Sequence, residues 1–215
     1  MNSPLLELFQ DPAQAIALVV SFAIAVALHE MGHAFAATQQ GDPTPRVAGR
    51  LTANPIAHLD KVGLILFVVA GIGWGSTPVT PALFRNGRLG RALVAGIGPI
   101  INLVIGILAA IALRVLFDQG GGNERLINFL FTFFSLNVFL AVINLFPIPP
   151  FDGFSVLAAV LPARAAGAVA FLEQYGIYLV IALFLLPALN PQLNWIGPLL
   201  GSVQRLVLRL VGLPI

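Results

Sequence analysis

Two histidines and a glutamate stand at His-Glu-x-x-His spacing in the run Ala27-Leu28-His29-Glu30-Met31-Gly32-His33-Ala34-Phe35. On a helix, residues four apart lie one above the other on the same face. His29 and His33 can therefore bind one Zn²⁺ while Glu30 sits beside them as general base for a water. The same pattern arises by chance in long soluble helices, where it costs nothing. Here it falls in one of the most apolar stretches of the chain, and an ionisable residue at bilayer depth costs about 2.5–3.5 kcal/mol on insertion scales. Residues kept at that cost mark functional sites, so the segment points to metal chemistry within a membrane.

A catalytic zinc takes three protein ligands and leaves one position for water, so a third ligand is needed. The chain has no cysteine, which restricts the choice to nitrogen and oxygen donors. His58 is the one remaining histidine, and Asp42, Asp60, Asp152 and Glu173 are the carboxylates near apolar sequence. Asp152 stands out because it follows Asn144-Leu145-Phe146-Pro147-Ile148-Pro149-Pro150-Phe151 and precedes Gly153. Three prolines remove backbone donors and forbid a regular helix there. Broken helices that line a cavity are where membrane proteins place binding sites. His58, in a turn-rich, charged loop, reads as an ordinary loop histidine that water can satisfy.

The elements that must position these groups are membrane helices. Of 215 residues, 58% are hydrophobic and 9% charged, with mean hydropathy +0.94, whereas a soluble domain carries about 25% charged residues. Eleven basic and nine acidic residues give a net charge of +2. Tracts of Lys/Arg interleaved with aromatics are absent, so no nucleic-acid partner is expected. Residues 1–14 hold Glu7 and Asp11 but no Lys or Arg, which is not the n-region of a cleavable signal peptide. The first apolar run is expected to remain as a membrane helix.

A span needs about 20 mostly apolar residues. Four stretches qualify, at about Ala13–Thr38, Arg91–Phe117, Leu126–Phe146 and Ala165–Leu189. Val62–Trp74 is too short to cross and ends in Gly71-Ile72-Gly73-Trp74-Gly75, which predicts a re-entrant or strand-like hairpin after the first helix. Leu193–Leu210 carries Gln204, Arg205 and Arg209 beside an apolar face, which suits an interfacial amphipathic helix as well as a fifth span. The expectation is an all-α polytopic membrane protein with four to five transmembrane helices, forming one domain over 1–215 with a catalytic core at about 13–162. Arg46, Arg50, Lys61, Arg85, Arg88 and Arg91 crowd the segments after the first span, against only Asp42 and Asp60. By the positive-inside rule these segments face the cytoplasm, with the His-Glu-x-x-His motif in the cytoplasmic half of its helix. The reading places the protein in the cell membrane of a prokaryote.

With these residues in view, the sequence resembles the site-2 protease family of intramembrane zinc metalloproteases. Three motifs carry the resemblance: His29-Glu30-Met31-Gly32-His33; Gly98-Pro99-Ile100-Ile101-Asn102, similar to Gly-Pro-x-x-Asn; and Asn144 through Gly153, which fits Asn-x-x-Pro-x-Pro-x-x-Asp-Gly. The resemblance spans roughly Ala15–Leu161. It implies one Zn²⁺ per chain held by His29, His33 and Asp152, with Glu30 as catalytic base. It also implies that Asn144 holds the substrate backbone or the developing oxyanion, and that Asn102 serves helix packing or the site. The implied activity is hydrolysis of peptide bonds in or near transmembrane segments of membrane proteins, as in regulated intramembrane proteolysis. No PDZ or cystathionine-synthase-like domain is recognisable, which suggests a minimal member. The rival reading is a non-catalytic membrane protein that binds or transports zinc. A transporter should carry a relay of polar residues across the bilayer, and these spans offer almost none beyond the motif.

Overall fold

The first long helix starts where Asp11 caps it. The Asp11 Oδ1 accepts from the N–H groups of Ala13 and Gln14 at 3.0 and 3.2 Å, and Pro12 supplies a first helical residue whose missing N–H costs nothing there. The computed structural model describes residues 3–213, and the helices among them follow in order. A short α1 (Pro4–Gln10) precedes α2 (Pro12–Gln39), and one-turn helices α3 (Thr44–Val47) and α4 (Pro55–His58) lead into α5 (Lys61–Ala70). Then come α6 (Gly87–Asp118), α7 (Glu124–Asn144), α8 (Asp152–Val160), α9 (Ala166–Leu189) and α10 (Ile196–Leu210). Four helices are long and apolar enough to cross a membrane, namely α2, α6, α7 and the segment Ala163–Pro187 that contains most of α9. The four expected spans are all present, within four residues of their predicted ends. The third span stops at Asn144, and the chain runs irregularly to Asp152 through a cis Pro149–Pro150 bond.

The centre of the bundle is α6, packed against α2, α7 and α8, while α2 and α7 also pack against each other. Small residues permit this approach. A Cβ on Gly32 would stand 2.3 Å from Ile101 Cδ1, and one on Gly106 would stand 3.1 Å from Val138 Cγ2. Without a hydrophobic force between helices in lipid, such close backbone contact supplies the dispersion energy for association. Leu18, Phe22 and Val26 of α2 join Phe67 of α5 and Leu136 of α7 in one core cluster, where the Phe22 and Phe67 rings stack with centroids 3.7 Å apart. A second cluster seats Val207 of α10 against Ala109, Ala110, Phe134 and Val138. At 15 residues, α10 rises about 22 Å, too short for a fifth full span, and it packs along α6 and α7.

The segment after α2 differs from one expectation. Lys61–Ala70 is an α-helix capped by Asp60, whose carboxylate accepts from Gly63 N–H at 2.9 Å, so the strand-like alternative is corrected. The run does turn back on itself. Gly71 adopts φ +74°, and the returning chain bridges Gly75 to Leu59. It lies so close to the helix that a Cβ on Gly63 would meet the Trp74 carbonyl oxygen at 2.7 Å, and one on Gly73 would meet the Gly63 carbonyl oxygen at 2.7 Å.

The loop between α2 and α6 is pinned by Asp42, which is fully buried. Its carboxylate accepts from Thr44 N–H at 2.9 Å and Thr80 N–H at 2.6 Å. Burial alone would push this carboxyl up, but the hydrogen bonds from Thr44 and Thr80 outweigh it and hold the group below the usual carboxylate range.

Candidate metal centre

Three helices bring the candidate ligands together. Helical spacing stacks His29 and His33 on one face of α2, and the broken backbone after α7 delivers Asp152 as the first residue of α8. The two Nε2 atoms are 3.0 Å apart, and Asp152 Oδ2 lies 3.2 Å from that of His29 and 3.3 Å from that of His33. Two glycines make this possible. A Cβ on Gly98 would stand 2.6 Å from His33 Nε2 and 2.7 Å from His29 Nε2, inside the cradle itself. A Cβ on Gly153 would stand 2.2 Å from the Leu145 carbonyl oxygen, so only glycine lets the chain fold back tightly enough to present Asp152.

The other ring nitrogens settle what these atoms offer. His33 Nδ1 lies 2.7 Å from the Val94 carbonyl oxygen, which can only accept, so this nitrogen carries the proton. His29 Nδ1 lies 2.6 Å from Asn102 Oδ1 and donates likewise. In their neutral forms the two imidazoles then point bare Nε2 lone pairs at each other and at Asp152 Oδ2, which is buried without a hydrogen-bond partner among the described residues. Three electron-pair donors converging at 3.0–3.3 Å repel one another unless a cation sits between them. Tetrahedral zinc ligands bonded at 2.0–2.1 Å stand about 3.3 Å apart, so the donor set and its spacing fit Zn²⁺.

Glu30 is buried and lines the same cavity as the three ligands. The returning chain passes directly over it. A Cβ on Gly75 would be 2.8 Å from Glu30 Cγ, and the Thr77 hydroxyl donates to the Glu30 carbonyl at 3.0 Å. The cavity has a volume of about 1750 Å³ and is walled by apolar faces of α2, α5, α7 and α9. Gly71–Gly75, Pro150 and Phe151 line it. On the α9 side the wall stands clear of the bundle, and that helix's most apolar window is only 6% buried.

Asn144 also lines this cavity, with its amide N–H donating to the Leu140 carbonyl at 3.0 Å; among the described residues its oxygen and second N–H have no partner. His58 lies apart from the metal cluster but is not a water-exposed loop residue. It is fully buried, with Nε2–H donating to the Thr52 carbonyl at 2.7 Å. Asn102, expected to serve helix packing or the site, is hydrogen-bonded to Ala25 and Asn137 on the neighbouring helices and to the candidate ligand His29. The residue that reasoning missed is Asn137, buried on α7 against Asn102. Its signal was available, since it is an amide in the middle of an apolar span, between Leu136 and Val138.

Residues 119–188 match Peptidase family M50. Along nearly its whole length the chain is also 36% identical, over 207 residues, to the Bacillus subtilis (strain 168) protein named "Putative zinc metalloprotease YwhC", covering 93% of this chain and 90% of that protein. Two proteins named "Putative zinc metalloprotease Rip2" are similar as well. The one from Mycobacterium tuberculosis (strain ATCC 25618 / H37Rv) is 30% identical over 200 residues, covering 89% of this chain and 76% of that one. The one from Mycolicibacterium smegmatis is 31% identical over 184 residues, covering 81% and 69%. No solved structure matches.

Proposed function

The chain belongs to peptidase family M50 and is an integral membrane protease of the site-2 type; we propose that it hydrolyses peptide bonds in or near transmembrane segments of membrane-protein substrates, using one Zn²⁺ held by His29, His33 and Asp152. The observation that carries this reading is the convergence of three bare ligand atoms beside a buried glutamate, at the wall of a large apolar cavity. When bound, the metal supplies Lewis-acid chemistry, lowering the pKa of a water towards about 7 and polarising the scissile carbonyl.

The protein's own groups do the rest. Glu30 accepts the attacking water's proton and hands it to the leaving amine. Asn144, on the cavity wall with a second N–H that has no partner among the described residues, orients the substrate backbone or the developing oxyanion. Apolar faces of α2, α7 and α9 accept the substrate's side chains. A helical substrate hides its amides and must unwind before attack, and the extended chain at Gly71–Gly75 offers backbone groups to hold it open. The excess of arginines after α2 supports a cytoplasmic orientation for this end of the bundle, in what we take to be a prokaryotic cell membrane.

Zinc transport by the same ligands is disfavoured because Glu30 has a task in hydrolysis and none in ligation. The test is cleavage of a single-span substrate co-reconstituted with purified protein. Chelation should abolish cleavage and added Zn²⁺ should restore it; cleavage that survives in metal-free protein would refute the reading.

A further inference from the structure

The candidate ligand His29 is tied to a chain of side-chain amides that crosses three helices. His29 Nδ1 on α2 meets Asn102 Oδ1 on α6 at 2.6 Å. Asn102 Nδ2 meets Asn137 Oδ1 on α7 at 2.9 Å and the Ala25 carbonyl oxygen at 3.1 Å. Asn137 Nδ2 meets the Phe133 carbonyl oxygen, one turn back on its own helix, at 2.8 Å. Asn102 and Asn137 are both fully buried.

Every bond in this chain has a forced direction. Backbone carbonyls only accept, so Phe133 compels Asn137 to turn its NH₂ that way and to present its oxygen to Asn102. Ala25 and Asn137 together then claim both N–H groups of Asn102, and its oxygen is left facing His29. An oxygen there requires a proton on His29 Nδ1, which leaves Nε2 bare for a metal. Rotating the Asn102 amide by 180° would reverse this, since an N–H facing Nδ1 calls for the other histidine tautomer, whose proton sits on Nε2. A ring nitrogen's partner decides which tautomer a ligand histidine adopts.

We propose that Asn137 is a positioning residue for the metal centre, acting through Asn102 to fix His29 in the tautomer that binds zinc. It touches neither the ligand atoms nor the cavity that substrate would enter. The proposal rests on the reading of His29 as a zinc ligand. His33 does not need such a chain, because its Nδ1 donates directly to the backbone at Val94.

The test is the zinc dissociation constant of purified protein, measured by competition with a chromophoric chelator and independent of cleavage. Asn137→Leu, close in shape but unable to accept, should weaken zinc about tenfold. That is the low end of the 10–100-fold range for partners of ligand histidines, because Ala25 still engages one Asn102 N–H. Asn137→Asp in its protonated form can donate its O–H to the Phe133 carbonyl and keep its other oxygen on Asn102, so it should bind zinc more tightly than Asn137→Leu. Asn102→Leu should weaken zinc further, and the Asn102→Leu/Asn137→Leu pair should bind no worse than Asn102→Leu alone. Where the leucine variant does not fold, Asn137→Ala carries the same comparison. Wild-type affinity in the Leu or Ala variant would overturn the proposal, as would an Asn137 effect that adds in full to that of Asn102→Leu. A wild-type protein that binds no zinc would instead overturn the zinc assignment itself.

Discussion

Replacing Gly98 by alanine sets two effects against each other. Gly98 lies inside α6, where alanine is favoured over glycine by roughly 0.5–1 kcal/mol, so helix propensity alone would stabilise the protein. The added Cβ, however, would stand 2.6 Å from His29 Cε1, 2.6 Å from His33 Nε2 and 2.7 Å from His29 Nε2. Ordinary carbon contacts lie at about 3.5–4.0 Å, so both imidazoles must retreat by roughly 1 Å. Site geometry tolerates about 0.5 Å, and displacements near 1 Å cost about 100-fold in rate. Gly98→Ala is therefore expected to weaken zinc binding by one to two orders of magnitude while the metal-free protein still melts cooperatively, its gain in helix propensity offsetting part of the roughly 1–3 kcal/mol that overpacking costs. Gly96→Ala is the control, since its Cβ would meet only Val156 Cγ2, at 3.8 Å. Chelator competition and circular-dichroism melting in detergent read the two quantities separately. Zinc affinity unchanged in Gly98→Ala would refute the geometry of the cradle.

Three further outcomes follow from other parts of the molecule. Asp152→Ala should lose zinc retention, whereas His58→Ala should keep its zinc and lose about 1 kcal/mol of stability through the loss of a part-buried hydrogen bond; metal analysis of both variants checks this, and zinc loss from the His58 variant alone would reverse the assignment. Asp42 has a depressed carboxyl, so its contribution is complete above the ordinary value of 3.8 and fades as pH falls through the lower folded-state value; the melting gap between wild type and Asp42→Ala should hold steady from neutral pH to about that value and close below it. A cysteine at exposed Ala53, in a chain that has no other, should react with an impermeant reagent only from the cytoplasmic side, and labelling solely from outside would invert the topology.

The local parts of the site were legible in the sequence. His29, Glu30 and His33 need nothing but a helix to share a face, and the prolines before Asp152 announce a break that no distant contact is required to make. The Asn102–Asn137 link was not legible, because it depends on which faces of α6 and α7 meet, and one-dimensional spacing within either helix says nothing of that. His58 misled for the same reason. Its neighbours in sequence are loop-like, and its burial comes from α4 packing against α2. Lys61–Ala70 shows a different failure. A short apolar run rich in Val and Leu carries no usable period, and the deciding signal was the Asp60 cap, which precedes a helix and not a strand. Gly98 sat within a recognised motif, yet only the structure shows that its missing side chain makes room for the His29 and His33 rings.

The central claim, that Glu30 is the base of a zinc protease and not one more ligand, is tested most directly by measuring zinc content and cleavage rate together in wild type and Glu30→Gln. The account predicts one equivalent of zinc in both proteins and turnover of a single-span substrate slowed by about 10²–10⁴-fold in the variant. A Glu30→Gln protein that cleaves at the wild-type rate, or that loses its zinc, would contradict it.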